Sequence, residues 1–131
     1  MKEKEKEMKI KTELKGNHLG MEYFVVFIKI ETYGISPYKI SPLGHRCGYV
    51  KIPSNHHFYQ KNYNWIDDNY DIEVHGGLTF SEEKVGSFSE NGWYIGFDCA
   101  HYGDTLETCT KEYVESQCKK LINQIKSLEE K

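Results

Sequence analysis

The 131-residue chain has no apolar run near the length of about 18 residues that marks a membrane span. Its start, MKEKEKEMKIK, lacks the apolar stretch of a signal peptide. Neither export nor membrane insertion is expected, and the chain reads as soluble and cytoplasmic. It also lacks a CxxC pair: Cys47, Cys99, Cys109 and Cys118 form no secretory disulfide framework, and buried or idle thiols are their plain reading. Surplus positive charge is missing too, with 17 Lys and Arg against 20 Asp and Glu. Residues 1–15 hold six Lys and four Glu, which leaves eleven basic and sixteen acidic groups, a balance of −5, on the rest. Binding to a nucleic-acid polymer is driven by cations displacing condensed counterions, so such a body is a poor partner for one. A small anionic ligand stays open, because a few local donors can hold one or two phosphates against the global sign. Length sets the last exclusion. A chain of this size buries roughly two-thirds of its unfolded surface, enough for a sheet and a helix or two but not for a large nicotinamide or flavin fold.

Aromatic residues are plentiful, at 14% of the chain, and ten of the eighteen are tyrosine. Tyrosine offers a flat apolar face and a hydroxyl tip, so it serves a pocket as readily as a core. Along the chain, residues 1–15 alternate Lys and Glu and are expected to form a flexible charged tail, its end becoming a short strand near Met8–Leu14. Residues 16–131 form one domain. Glu22–Thr32 is aromatic and β-branched, the mark of a long strand whose drier face holds Phe24, Val26, Ile28 and Ile30. Pro37, Pro42 and Gly44 break the chain, and Arg46–Ile52 is a second strand. Residues 53–70 show no usable period and read as a long loop, Asp71–Phe80 resumes strand character around Gly76-Gly77, and Trp93–Asp98 is a further strand. Val114, Cys118, Leu121, Ile125 and Leu128 make the apolar stripe of a helix capped by Thr110. The fold class is α+β: a mainly antiparallel sheet of four to six strands with the C-terminal helix packed on one face.

Strand phase locates the polar chemistry. In Asp71–His75 the apolar phase is Ile72 and Val74, which puts His75 on the other side, and in Trp93–Asp98 the apolar phase is Trp93, Ile95 and Phe97, which puts Asp98 with Tyr94. His75 and Asp98 are thus expected away from the helix-covered core. Asp98, His101 and Asp104 follow at steps of three, which a helical turn brings to one side. Two imidazoles and two carboxylates are the parts of an acid–base site: one His takes a proton, the other gives one, and a carboxylate fixes a tautomer. The same groups suit a metal, but DxxHxxD on a turn is a weaker signal than HExxH, and no metal and no cofactor is assigned. The plainer alternative has both Asp residues capping turns and His101 bonding a carbonyl. Around this set, His45, Tyr49, His56, Tyr59, Lys61, Tyr63, Tyr102 and Asp104 are the expected ligand-binding residues, with rings to stack a base and cations to meet an anion.

The segments GHRCGYV (44–50), NHHFYQKNY (55–63), DIEVHGGLTF (71–80), GWYIGFDCAHYGD (92–104) and YVESQCKKLINQI (113–125) together resemble a family of small phage and prophage proteins. HGGLT and GFDCAHxGD are its specific motifs. Where such proteins have a GHP-like tripeptide this chain has Asn55-His56-His57, which makes His56 the counterpart. The resemblance implies a phage setting, inside an infected bacterial host, in which small proteins often disarm host defence. On that basis the expected function is to recognise a nucleotide immune signal, of cyclic dinucleotide or cyclic ADP-ribose type, and inactivate it by hydrolysis through His75, His101 and Asp98. The alternatives are a sponge that holds the same molecule uncleaved and an inhibitor that binds a defence protein. Whether the pocket lies within one chain or between copies of a homo-oligomer stays open.

Overall fold

A computed structural model describes residues 6–32, 44–86 and 89–129 of the chain. Strand β1 (Lys6–His18) turns into β2 (Met21–Thr32) through Leu19 and Gly20, both with positive φ, the backbone of a two-residue hairpin turn. Strand β3 (Gly44–Lys51), helix α1 (Tyr63–Asn69), strands β4 (Phe80–Glu82) and β5 (Tyr94–Asp98), and helix α2 (Lys111–Glu129) follow. The sheet order is β1-β2-β3-β5-β4, and every pairing is antiparallel. With α2 laid across one face, the fold is α+β. Among the described residues no helix is long and apolar enough to cross a membrane.

Helix α2 follows its sequence pattern. The Thr110 hydroxyl accepts the Tyr113 N–H at 3.1 Å, and Val114, Cys118, Leu121, Ile122 and Ile125 are fully buried. Each buried aliphatic side chain contributes about 1.5–3 kcal/mol, so the stripe, more than helical propensity, holds α2 in place. It packs on Tyr23, Val25, Val50, Ile95 and Phe97 of the sheet. A second cluster, Phe24, Val26, Cys47, Tyr49, Val85 and Tyr94, fills the opposite face. Strand β2 is therefore buried on both sides. Its odd residues face α2, whereas Phe24 and Val26 of the expected drier face lie in the second cluster.

Four further expectations are corrected. The short strand expected near Met8–Leu14 is longer than that and takes in Lys6 to Lys15: β1 pairs with β2 from Lys6↔Thr32 to His18↔Met21, with a bulge between Thr12 and Leu14. Alternating Lys and Glu cannot drive ordering alone, but a long aromatic and β-branched neighbour supplies the ladder. The long loop contains α1, whose Asn62 side chain accepts the Asn64 N–H at 2.7 Å and whose Ile66 is buried. Seven residues are too short to display a helical period. Strand character over 71–80 shrinks to β4, since Gly76 and Gly77 take φ of +69° and +83° and the preceding backbone bonds to side chains instead of a strand. The Gln124 amide donates to Glu73 O and accepts the Glu73 N–H, both at 2.8 Å, and Gln117 Oε1 accepts the His75 N–H at 2.9 Å. His75 accordingly lies against α2, not away from it. The expected break at Pro37 and Pro42 lies outside the described residues.

Tyr23 ties the sheet to the helix through its hydroxyl, which donates to the Glu115 carboxylate. Burial first, then that hydrogen bond and the adjoining negative charge, pushes its phenol up to about 12. Because the folded state holds this proton more tightly than the unfolded chain does, the contribution is intact below about pH 10 and is lost as pH climbs from there to 12. Tyr23→Phe should lower stability at neutral pH by about 1–2 kcal/mol in denaturant unfolding. The loss of stability between pH 10 and 12 should also be shallower in the variant; equal slopes would remove Tyr23 as its source.

Candidate functional site

The tract after β5 divides into two His–Asp pairs. Asp98 ends β5 opposite Cys47, on the sheet face away from α2. Its carboxylate accepts the Thr79 hydroxyl at 2.8 Å and the Ala100 N–H at 3.0 Å, and its Oδ1 stands 3.3 Å from His101 Nε2. This pair reaches solvent, with side chains 40% exposed for His101 and 27% for Asp98. Asp104 serves the other imidazole: its two oxygens lie 3.0 and 3.1 Å from His75 Nε2, and Oδ2 also accepts the His101 N–H at 3.0 Å. His75 Nδ1 stands 2.9 Å from the Tyr113 hydroxyl, so both ring nitrogens are engaged inside the protein. The two imidazole centroids are 6.2 Å apart.

Electrostatics follow the contacts. Burial alone would raise the Asp104 carboxyl, yet it is held below the ordinary carboxylate range by hydrogen bonds from the His101 N–H and His75 and by the charges of both imidazoles. Behind it stand two buried thiols. Cys109 Sγ is 3.7 Å from His75 Nε2, and Cys99 is pushed far up by burial, by its hydrogen bond with Cys109 and by nearby negative groups. One ligand atom each from His75, Cys99, Asp104 and Cys109 lies within 4.8 Å of every other, a donor set able to hold a metal ion. Arg46 anchors both thiol-bearing turns: its carbonyl accepts the Cys99 N–H at 2.9 Å, its Nη1 donates to Cys109 O at 3.0 Å, and its Nε meets Glu13 at 2.7 Å.

Few of the expected ligand-binding residues join this cluster. Tyr49 is buried against Phe80 at 4.8 Å between ring centroids, and Tyr94 is sealed in the same cluster with its hydroxyl on Glu90 O. His56 is buried and accepts the Phe58 N–H on Nδ1 at 3.0 Å, a contact that shapes the loop rather than a pocket. Lys61 lies over the Trp65 ring at 4.8 Å, and Tyr63 packs against the helix-side core. Tyr59 borders a cleft of about 400 Å³ lined also by Met21, Glu22, Lys51, Ile52 and Gly92. That cleft is at the Lys51↔Tyr94 end of the β3–β5 pair, whereas Asp98 pairs with Cys47 four residues away, roughly 13 Å along the strand. His45 is on β3 at the Asp98 end and half-buried, and Tyr102 is fully exposed beside His101.

Comparison with protein-family models, curated proteins and solved structures returned no match.

Sequence reasoning passed over Cys99, Cys109, Tyr113, Thr79 and Gln117. The available signal was position: Cys47 and Cys118 sit within strand and helix patterns, while Cys99 lies inside the DxxHxxD tract and Cys109 follows it in a segment with neither.

Gly76 makes the open pair possible. Its φ is +69°, and a Cβ there would overlap the His101 ring, whereas Gly77, at φ +83°, faces open space. Gly76→Ala and Gly77→Ala should each cost about 1–2 kcal/mol of stability, since both force an L residue into the left-handed region. Only Gly76→Ala should shift the His101 imidazole resonances in NMR; an equal shift in both variants, or none in either, would refute the contact.

Proposed function

We propose that the protein recognises a small nucleotide signal of the cyclic dinucleotide or cyclic ADP-ribose type and inactivates it by hydrolysis, acting as a phage counter-defence protein. The observation that supports this is the His101–Asp98 pair: an accessible imidazole 3.3 Å from a carboxylate whose other oxygen is fixed by Thr79. Asp98 orients the ring, and the free side of His101 takes a proton from a ribose hydroxyl or water. Family resemblance supplies the phage setting and the −5 balance of residues 16–131 favours a small ligand over a polymer.

His75 has a different part from the one its sequence position proposed. With both nitrogens engaged, it reaches no ligand directly, and it acts by holding Asp104, which in turn holds the His101 backbone. One accessible imidazole instead of two favours a second reading, a sponge that binds the nucleotide and releases it unchanged.

A single assay separates the two. The protein is incubated with a panel of cyclic dinucleotides and cyclic ADP-ribose isomers, heat-denatured, and the released ligand chromatographed. Altered product supports hydrolysis, and intact ligand recovered only after denaturation supports the sponge. In the first case His101→Ala should lower turnover by about a hundredfold or more with ligand retention preserved. Full turnover in that variant would overturn the role of His101, and neither product nor retained ligand would overturn both readings.

A further inference from the structure

The proton-transfer reading leaves two buried cysteines without a task. Cys99 and Cys109 are 5% and 2% exposed and lie ten positions apart in sequence, yet their sulfurs meet beside His75 and Asp104. Cys47 and Cys118 do not join them. Cys47 packs in the cluster on the far face of the sheet and Cys118 in the apolar stripe of α2, and among the described residues no imidazole or carboxylate joins either sulfur in a ligand set.

We propose that His75 Nε2, Cys99 Sγ, Asp104 and Cys109 Sγ hold one zinc ion. Two thiolates, an imidazole and a carboxylate are a borderline-soft set that suits zinc and not calcium or magnesium, which take oxygen ligands. Size agrees. Tetrahedral zinc with Zn–S near 2.3 Å and Zn–N near 2.0 Å puts its ligand atoms about 3.3–3.8 Å apart. Here His75 Nε2 is 3.7 Å from Cys109 Sγ and 3.0 Å from Asp104 Oδ1, and the whole set lies within 4.8 Å. A cation would enter by displacing the direct His75–Asp104 hydrogen bond, the His75 ring proton passing from Nε2 to Nδ1, which then donates to the Tyr113 hydroxyl, while the two thiol protons leave to solvent.

Outer contacts are in place for such a site. Metal-bound imidazoles commonly donate through their other nitrogen, and His75 Nδ1 meets the Tyr113 hydroxyl at 2.9 Å. Asp104 Oδ2 accepts the His101 N–H, the Cys109 N–H donates to Thr105 O at 2.8 Å, and Arg46 holds Cys99 N–H and Cys109 O. Four protein ligands close the coordination shell, so the ion is structural: it fixes the turn between β5 and α2 on which Asp98 and His101 stand. The site rests on its own donors and does not depend on the reaction proposed above.

Metal analysis of the full chain, purified under reducing conditions without a metal-affinity column, should give about one zinc per chain. Exchange with cobalt(II) should produce the strong visible bands of tetrahedral geometry and a thiolate-to-metal charge-transfer band in the near ultraviolet. Cys99→Ser and Cys109→Ser should each abolish that band, Cys47→Ala and Cys118→Ala should keep it, and Tyr113→Phe should weaken zinc affinity by about tenfold or more. Should the cysteine variants fail to fold, titration of the native protein with a thiol-specific mercurial serves instead, with release of one zinc for every two thiols consumed at the site. No metal uptake, a cobalt spectrum without the thiolate band, or a Cys99–Cys109 disulfide in place of metal would overturn the proposal.

Discussion

The Asp104 carboxylate is the constraint on which the segment between sheet and helix depends. From Cys99 to Thr110 the chain runs in turns, with no ladder to absorb its backbone groups. Asp104 answers this by accepting from the His101 backbone on one side and facing His75 on the other, while Arg46 takes up Cys99 N–H and Cys109 O from beneath. Hydrogen bonds to a charged acceptor are worth about 1.5–3 kcal/mol apiece, more than neutral turn contacts provide. The turn can therefore stay short of regular structure and still carry Asp98 and His101 in defined positions.

The same contacts link this turn to both layers of the fold. His75 reaches it from a segment that is held to α2 by Gln117 and Gln124, and Tyr113 on the first turn of α2 completes the contact. Asp98 comes from the far face of the sheet, held by Thr79. The candidate site is thus at the edge where helix layer, sheet and connecting turn converge, and movement of α2 against the sheet would disturb both His–Asp pairs together. The cleft beside Lys51 and Tyr59 is at the other end of the same strands, so its aromatic and basic side chains serve a separate surface.

Elements stabilised by periodic burial were legible in the sequence. Thr110 and the apolar stripe of α2 could be read directly, as could the antiparallel character of the sheet and the side of β5 on which Asp98 lies. What escaped reading depends on partners far away in sequence. Ile72 and Val74 alternate with polar residues as in a strand, but the hydrogen bonds of this segment go to helix glutamines, and no local pattern encodes the reach of a side chain 42 to 51 residues distant. Tyr49 shares a strand with Arg46 and a motif with His45, which placed it near the polar cluster; it does lie on the sheet face of Asp98, but packing against Phe80 buries its ring and withdraws it from a ligand. The DxxHxxD spacing brought the right residues together without showing that Asp98 would pair with His101 and Asp104 with His75.

That division sets what each pair can do. Proton transfer to a ligand needs a ring nitrogen within hydrogen-bond reach of it, which favours the open His101–Asp98 pair. Metal binding needs the reverse, donors held together away from competing water and fixed by outer contacts, and His75–Asp104 with its two buried sulfurs meets that demand. An ion at the inner pair would leave the outer pair untouched in composition while stiffening its support. The motif that looked like one catalytic set divides into an accessible pair mounted on an inner one, with the His101 backbone, held by Asp104, as the joint between them.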